Sequence, residues 1–204
     1  MNSLRIHLIR HGQTDWNSEK RVQGQAESRL TPLGQEQAAT LAPVLARDYK
    51  VSRVYCSSSV RTRQTAEILF QGLDTDIEYC DLLREIYLGP WEGHLQTDVR
   101  ERFPEAFQHF WHEPHLFNLQ DAETFEQVQK RALGRFEQIV QTHQSGDIAL
   151  ISHGVWIKTV LCALEPRPMS QLWEPPIMKN CAHSIVEITN GDARIIQYGR
   201  VVEP

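Results

Sequence analysis

Residues Leu4–Asn17 read LRIHLIRHGQTDWN. The run Leu4–Ile9 is rich in Leu and Ile and predicts a β-strand. It ends on Arg10, His11 and Gly12, so a cation and an imidazole stand side by side at a strand tip. What that pair is for is settled by what else the chain brings to the same edge.

Outward from this strand the hydrophobic pattern alternates. Leu33, Ala38, Leu41, Val44 and Leu45 recur at helical spacing and predict a helix over 33–48, started by Thr31-Pro32. Val51–Cys56 predicts a second strand, Arg61–Phe70 a helix and Ile77–Cys80 a short strand. Thr124–His143 is strongly amphipathic, with Phe125, Val128, Ala132, Phe136, Ile139 and Val140 on one face. Asp147–Ser152 reads as a buried strand and Val155–Leu164 as an apolar helix. Ser184–Thr189 and Ala193–Tyr198 predict strands joined by the hairpin signal Asn190-Gly191. Leu88–Asp121 is irregular, aromatic and interrupted by Gly and Pro, and is a candidate lid. The alternation predicts an α/β layered fold with a mostly parallel sheet. The 204 residues, without repeat or linker, fit one domain, 1–204, with the lid at 88–121 inside it.

A net charge of −5 gives no general attraction to nucleic acid or an anionic membrane, so any anion site must be a local basic cluster. No apolar run approaches the roughly 20 residues of a membrane span, and Arg5 and Arg10 interrupt the short apolar stretch at the N-terminus. Cys56, Cys80, Cys162 and Cys181 form no C-x-x-C pair and read as reduced thiols of a cytoplasmic protein.

In open parallel sheets, ligands bind beyond the carboxyl ends of the strands. Three predicted strands end in polar clusters: Arg10-His11-Gly12, Ser57–Arg61 and Ser152-His153-Gly154. Together they bring Arg10, His11, Arg61 and His153 to one rim, an anion site to which the helix start at Arg61 would add N–H donors. A neutral imidazole attacks phosphorus and forms a phosphohistidine, which makes His11 the candidate nucleophile. The leaving oxygen then needs a proton. Glu85, in LLREIYLGPWEG (82–93), is the candidate acid, and its rival Glu92 reads as a loop-holding residue.

RHGQTDWN (10–17), LTPLGQEQA (30–38), SSSVRTRQTAE (57–67), LREIYLGPWEG (83–93) and ISHG (151–154) resemble motifs of the histidine phosphatase superfamily, the family of the cofactor-dependent phosphoglycerate mutases. The likeness spans essentially the whole chain. It implies a three-layer α/β/α sandwich, phosphorylation of His11, phosphoryl binding by Arg10, Arg61 and His153, and proton donation by Glu85. It also implies that Asn17, Gln23 and Gly24 lie near the phosphate, and that no metal or other cofactor is required. Gln13 stands where the family often has Glu, and both occur. LREIYLGPWEG and DAETFEQVQKRA (121–132) resemble the phosphatase branch, similar to broad-specificity and α-ribazole phosphatases. The expected reaction is hydrolysis of a small-molecule phosphate monoester. Phosphoglycerate mutase-type transfer, non-catalytic phospholigand binding and action on phosphorylated proteins are the alternatives.

His109, His112 and His115 are spaced three apart, but Pro114 breaks the helix before His115 and no carboxylate–histidine pattern accompanies them, so no metal site is expected. Phe103, Phe107, Phe110, Trp111 and Phe117 read as lid packing, with one or two facing the substrate. Trp173-Glu174-Pro175-Pro176 and the terminal hairpin are segments that would support a homodimer.

Overall fold

A computed structural model describes residues 3–73 and 75–204; Met1, Asn2 and Asp74 lie outside the described residues. The chain runs β1 (Leu4–Arg10), α1 (Asp15–Ser18), α2 (Pro32–Asp48), β2 (Val51–Ser57), α3 (Val60–Leu69), β3 (Ile77–Cys80), α4 (Gln96–Arg102), α5 (Pro104–His112), α6 (Phe125–Thr142), β4 (Gly146–Ser152), α7 (Gly154–Leu164), β5 (His183–Thr189) and β6 (Asp192–Arg200). Strand order is β3-β2-β4-β1-β5-β6. The first four are mutually parallel, and β5 alone runs against them.

The strand side chains sort into two faces because successive residues point to opposite sides. Leu4, Ile6, Leu8, Ile148 and Leu150 pack with Phe136, Ile139, Trp156 and Val160 of α6 and α7. Ile9, Val54, Cys56, Ala149 and Ile151 pack with Ala38, Leu41, Leu45, Ala66 and Leu69 of α2 and α3. Apolar burial on both faces is what a parallel sheet covered by helices requires. The result is the expected three-layer sandwich. Thr31 caps α2 by accepting from Gly34 N, and Thr124 forms a capping box with Gln127 at the start of α6. Asn190 (φ 54°) and Gly191 (φ 87°) turn the β5–β6 hairpin, as its two-residue loop demands.

The 88–121 segment is more regular than the sequence suggested. Pro104 and Pro114 occupy first-turn positions of α5 and of a 3₁₀ turn (Pro114–Leu116), so they start helices rather than break them. The segment's Trp91, Val99, Phe110 and Phe117 form a separate core with Phe125 and Val128 of α6.

A polar chain crosses the sheet below the rim. His7, fully buried, lies between Asp147 (Nε2 to Oδ1, 2.9 Å) and His183 (Nδ1 to Nε2, 2.9 Å). Arg5 meets Asp147 from the other side at 2.7 Å, and Gln197 Nε2 lies 3.1 Å from His183 Nδ1.

Candidate active site

At the carboxyl ends of the parallel strands lies a cavity of about 450 Å³. Arg10, His11, Asn17, Gln23, Gly24, Arg61 and Glu85 line its inner part, all of them named from the sequence. His11 follows β1 and is buried. Its Nδ1 sits 2.8 Å from the carbonyl of Gly12, which accepts only if Nδ1 carries the proton. Nε2 then keeps its lone pair. Burial holds the His11 pKa well below the usual imidazole value, and the Arg61 and Arg10 charges push the same way. The ring is therefore neutral at pH 7, the state a nucleophile needs.

Arg61, the second residue of α3, is buried and fixed at three points: Nη2 to Gly24 O (2.7 Å), Nη1 to Ala26 O (2.8 Å) and Nε to His153 Nδ1 (3.2 Å). Burial lowers its pKa to about 10, which leaves it charged at neutral pH. Arg10 donates from Nη1 to Met178 O, while its buried Nε has no partner among the described residues. The two guanidiniums are the local basic cluster that the acidic chain must supply.

Asn17 and Gln23 present donors for a definite reason. Asn17 Oδ1 accepts from Thr14 N and Asn180 Nδ2 at 3.1 and 3.2 Å, which leaves its Nδ2 for the cavity. Gln23 Oε1 accepts from Thr14 Oγ1 and Ser28 Oγ, which frees its Nε2. Gly24 holds φ +51°, and a Cβ there would lie 2.1 Å from Glu92 Oε1. Glu92 accepts from Gln25 N and Leu88 N, so it holds the loop, as expected.

Glu85 sits at the N-terminus of α7. Its Oε1 accepts from Ile86 N (3.0 Å) and Trp156 N (3.2 Å), and its Oε2 from Val155 N (3.1 Å). Oε2 keeps one lone pair, the position available to a proton. A Cβ on Gly154 would lie 3.6 Å from Arg10 Nε and 3.7 Å from Glu85 Oε2, so glycine keeps this corner open.

Two sequence expectations need correction. The start of α3 is expected to supply free N–H donors, but the first of them, Val60 N, donates to Glu27 at 2.7 Å. The helix end that faces the site is that of α7, and Glu85 occupies it. His153 is buried behind His11, ring centroids 5.3 Å apart, and does not line the cavity. Its Nδ1 accepts from Arg61 and its Nε2 meets Ser57 Oγ at 2.8 Å, so in this structure it orients Arg61.

The outer cavity is formed by Leu88, Trp91, Phe107, Phe110, Trp111, Trp173, Ile177 and Met178. Phe107, Phe110 and Trp111 thus face the cavity, while Phe103 and Phe117 pack against Trp91. Trp173, read as surface for a homodimer, turns inward and donates from Nε1 to Phe110 O. The cations here are engaged: Arg21 with Glu19, and Lys158 with the carbonyls of Glu174 and Pro176 and the Tyr198 hydroxyl. His112 and His115 are exposed, and among the described residues no three metal-ligating side chains converge. No helix among the described residues is long and apolar enough to cross a membrane. All four cysteines are free thiols.

The sequence reading missed Arg131 and Glu123, which grip the Glu85 loop, and Asn180, which ties His11 O to Asn17 Oδ1.

Comparison with known proteins identifies the family of the chain. The chain is 31% identical over 170 residues to phosphoserine phosphatase 1 of Hydrogenobacter thermophilus, spanning 83% of this chain and 80% of that protein. It is 32% identical over 159 residues to a Citrobacter koseri protein named "Probable phosphoglycerate mutase GpmB", covering 74% and 70%. The structure of Bacillus stearothermophilus YhfR superposes with a TM-score of 0.95 at 38% identity, over 98% of each chain. The family model of the histidine phosphatase superfamily (branch 1) matches residues 6–200, and the chain belongs to that family.

Proposed function

We propose that this protein hydrolyses small-molecule phosphate monoesters through a phosphohistidine on His11, without a metal ion. The observation that carries the proposal is the His11 ring. Its Nδ1 is committed to Gly12 O, and its ring shares a cavity with two arginines and a carboxyl group.

The phosphoryl group enters between Arg10 and Arg61, with the amides of Asn17 and Gln23 donating to its oxygens. Nε2 of His11 attacks phosphorus in line, and the P–O bond to the leaving group breaks. Glu85 gives its proton to the departing oxygen. It then takes a proton from water, whose oxygen attacks phosphorus and releases His11 and inorganic phosphate. The arginines neutralise charge on the equatorial oxygens in both steps. His153 supports this by holding Arg61, and a direct contact to the phosphate requires its ring to turn.

The mutase reading shares the phosphohistidine, and a relative carries that name. A mutase must hold an anionic product for re-phosphorylation. The aromatic outer wall, with Arg21 and Lys158 already engaged, favours release and hydrolysis instead.

The test is aryl phosphate hydrolysis with chelator present. Wild type should release phosphate and form an acid-labile phosphoenzyme. His11→Ala should do neither while still binding phosphate. Normal turnover by His11→Ala ends the proposal, and chelator-sensitive turnover ends its metal-free part.

A further inference from the structure

We infer that Arg131 is a positioning residue for the proton donor: its guanidinium fixes the loop that carries Glu85, and so sets where the carboxyl meets the leaving oxygen. The inference rests on the reading of Glu85 as the acid.

The loop 82–85 pairs with no strand in the sheet ladders, yet each of its carbonyls is met by a side chain. Leu82 O accepts from Trp156 Nε1 (2.8 Å) and Arg131 Nη1 (3.1 Å), and Leu83 O from Ser152 Oγ (2.7 Å). Arg84 O accepts from Arg131 Nη1 (2.7 Å), and Glu85 O from Arg131 Nη2 (2.8 Å) and Gln25 Nε2 (3.1 Å). One arginine therefore serves three of the four carbonyls. Its remaining N–H groups form a forked pair with Glu123 at 2.8 and 2.9 Å. Glu123 Oε2 also accepts from Tyr87 N at 2.8 Å, so the clamp grips the loop on both sides of Glu85.

All five guanidinium donors are thus used. A lysine has a single compact head and cannot span three carbonyls and a carboxylate. Arg131 does not line the cavity, so its influence runs through Glu85 and not through the substrate. Glu85 is pinned at its backbone by α6 and at its carboxylate by the start of α7. If the Arg131 grip is released, Glu85 O keeps Gln25 Nε2 alone, and the placing of Oε2 falls mainly to the carboxylate contacts. Misplacement of a reacting group by about 1 Å costs on the order of 10²-fold.

The experiment compares Arg131→Lys, Glu123→Gln and Glu85→Gln with wild type. The readout is the single-turnover rate of alcohol release from phenyl phosphate, a poor leaving group, and from 2,4-dinitrophenyl phosphate, which leaves without a proton. Inhibition by inorganic phosphate is measured alongside. Arg131→Lys should slow phenyl phosphate by about 10²-fold, the scale of lost acid catalysis. It should leave dinitrophenyl phosphate and phosphate inhibition little changed. Glu123→Gln, which keeps the arginine, should shift the rates the same way but less, and serves if Arg131→Lys does not fold. Equal losses on both substrates, or none, overturn the inference. If Glu85→Gln discriminates between leaving groups and the clamp variants do not, only the positioning role fails. If Glu85→Gln does not discriminate, the acid assignment fails and the positioning role falls with it.

Discussion

Acid should destabilise this protein through the histidine chain in its sheet, and His183→Gln should remove a measurable part of the loss. Asp147 accepts from His7 Nε2, which leaves His7 Nδ1 to accept from His183 Nε2, and His183 Nδ1 to accept from Gln197. Each ring donates once and accepts once, so the chain is complete only when both are neutral. Burial pushes the His183 pKa down to about 3, with His7 and Arg200 acting in the same direction. An unfolded histidine titrates near ~6.5. Between these values the unfolded chain binds a proton that the folded chain refuses. The stability is therefore fully present above the unfolded value and is lost as pH falls toward the folded one. Between pH 7 and pH 5 that difference amounts to about 2 kcal/mol for one ring, wherever below 5 the folded value lies. Urea unfolding of wild type and His183→Gln at both pH values is the assay. Glutamine keeps an N–H for His7 but does not titrate. The variant should lose about 2 kcal/mol less than wild type between the two pH values, or about 4–8 °C less in Tm. An identical pH dependence in the two proteins would refute the neutral buried chain.

Three further outcomes follow from the site. Glu85→Gln should slow phosphoenzyme formation from phenyl phosphate by about 10²–10⁴-fold, with much less effect on dinitrophenyl phosphate; single-turnover kinetics decide it. Asn17→Asp keeps the oxygen that Thr14 and Asn180 need but loses the free N–H donors and adds a negative charge. Its KM should rise by about 10- to 100-fold, as for a lost hydrogen bond to a charged group, with Tm little changed. Gly34→Ala would set a Cβ 2.0 Å from Gln13 O, and since backbone cannot swing aside, unfolding should show a loss of about 1–3 kcal/mol.

Much of this was legible along the chain because it depends on local pattern. The apolar run before Arg10 names β1, the spacing of Phe125 through Val140 names α6, and Asn190-Gly191 names the hairpin. Arg10, His11 and Arg61 were legible because each lies at or just beyond the end of a strand that reaches the rim. The direction of the Asn17 and Gln23 amides was not, since it is set by Thr14, Ser28 and Asn180, and Asn180 lies 163 residues from Asn17. Arg131 was hidden for a related reason. It lies off the apolar face of its helix, like any solvated arginine, and its carbonyl partners are 46–49 residues away. The start of α3 was not legible in this way, because a free N-terminus can be filled by any nearby carboxylate. Glu27 fills that of α3, and Glu85 fills that of α7.

The segment 178–182 acts as a common strut. Met178 O holds Arg10, Asn180 joins His11 O to Asn17, Cys181 N donates to His11 O, and Ala182 O accepts from Arg10 N. A change of loop length here would move His11, Arg10 and Asn17 together. The Asn190-Gly191 turn lies at the opposite end of β5, where Ile188 pairs with Leu4, the first residue of β1. An affinity tag, reporter or whole guest domain spliced into that turn would sit a full strand length from the chemistry.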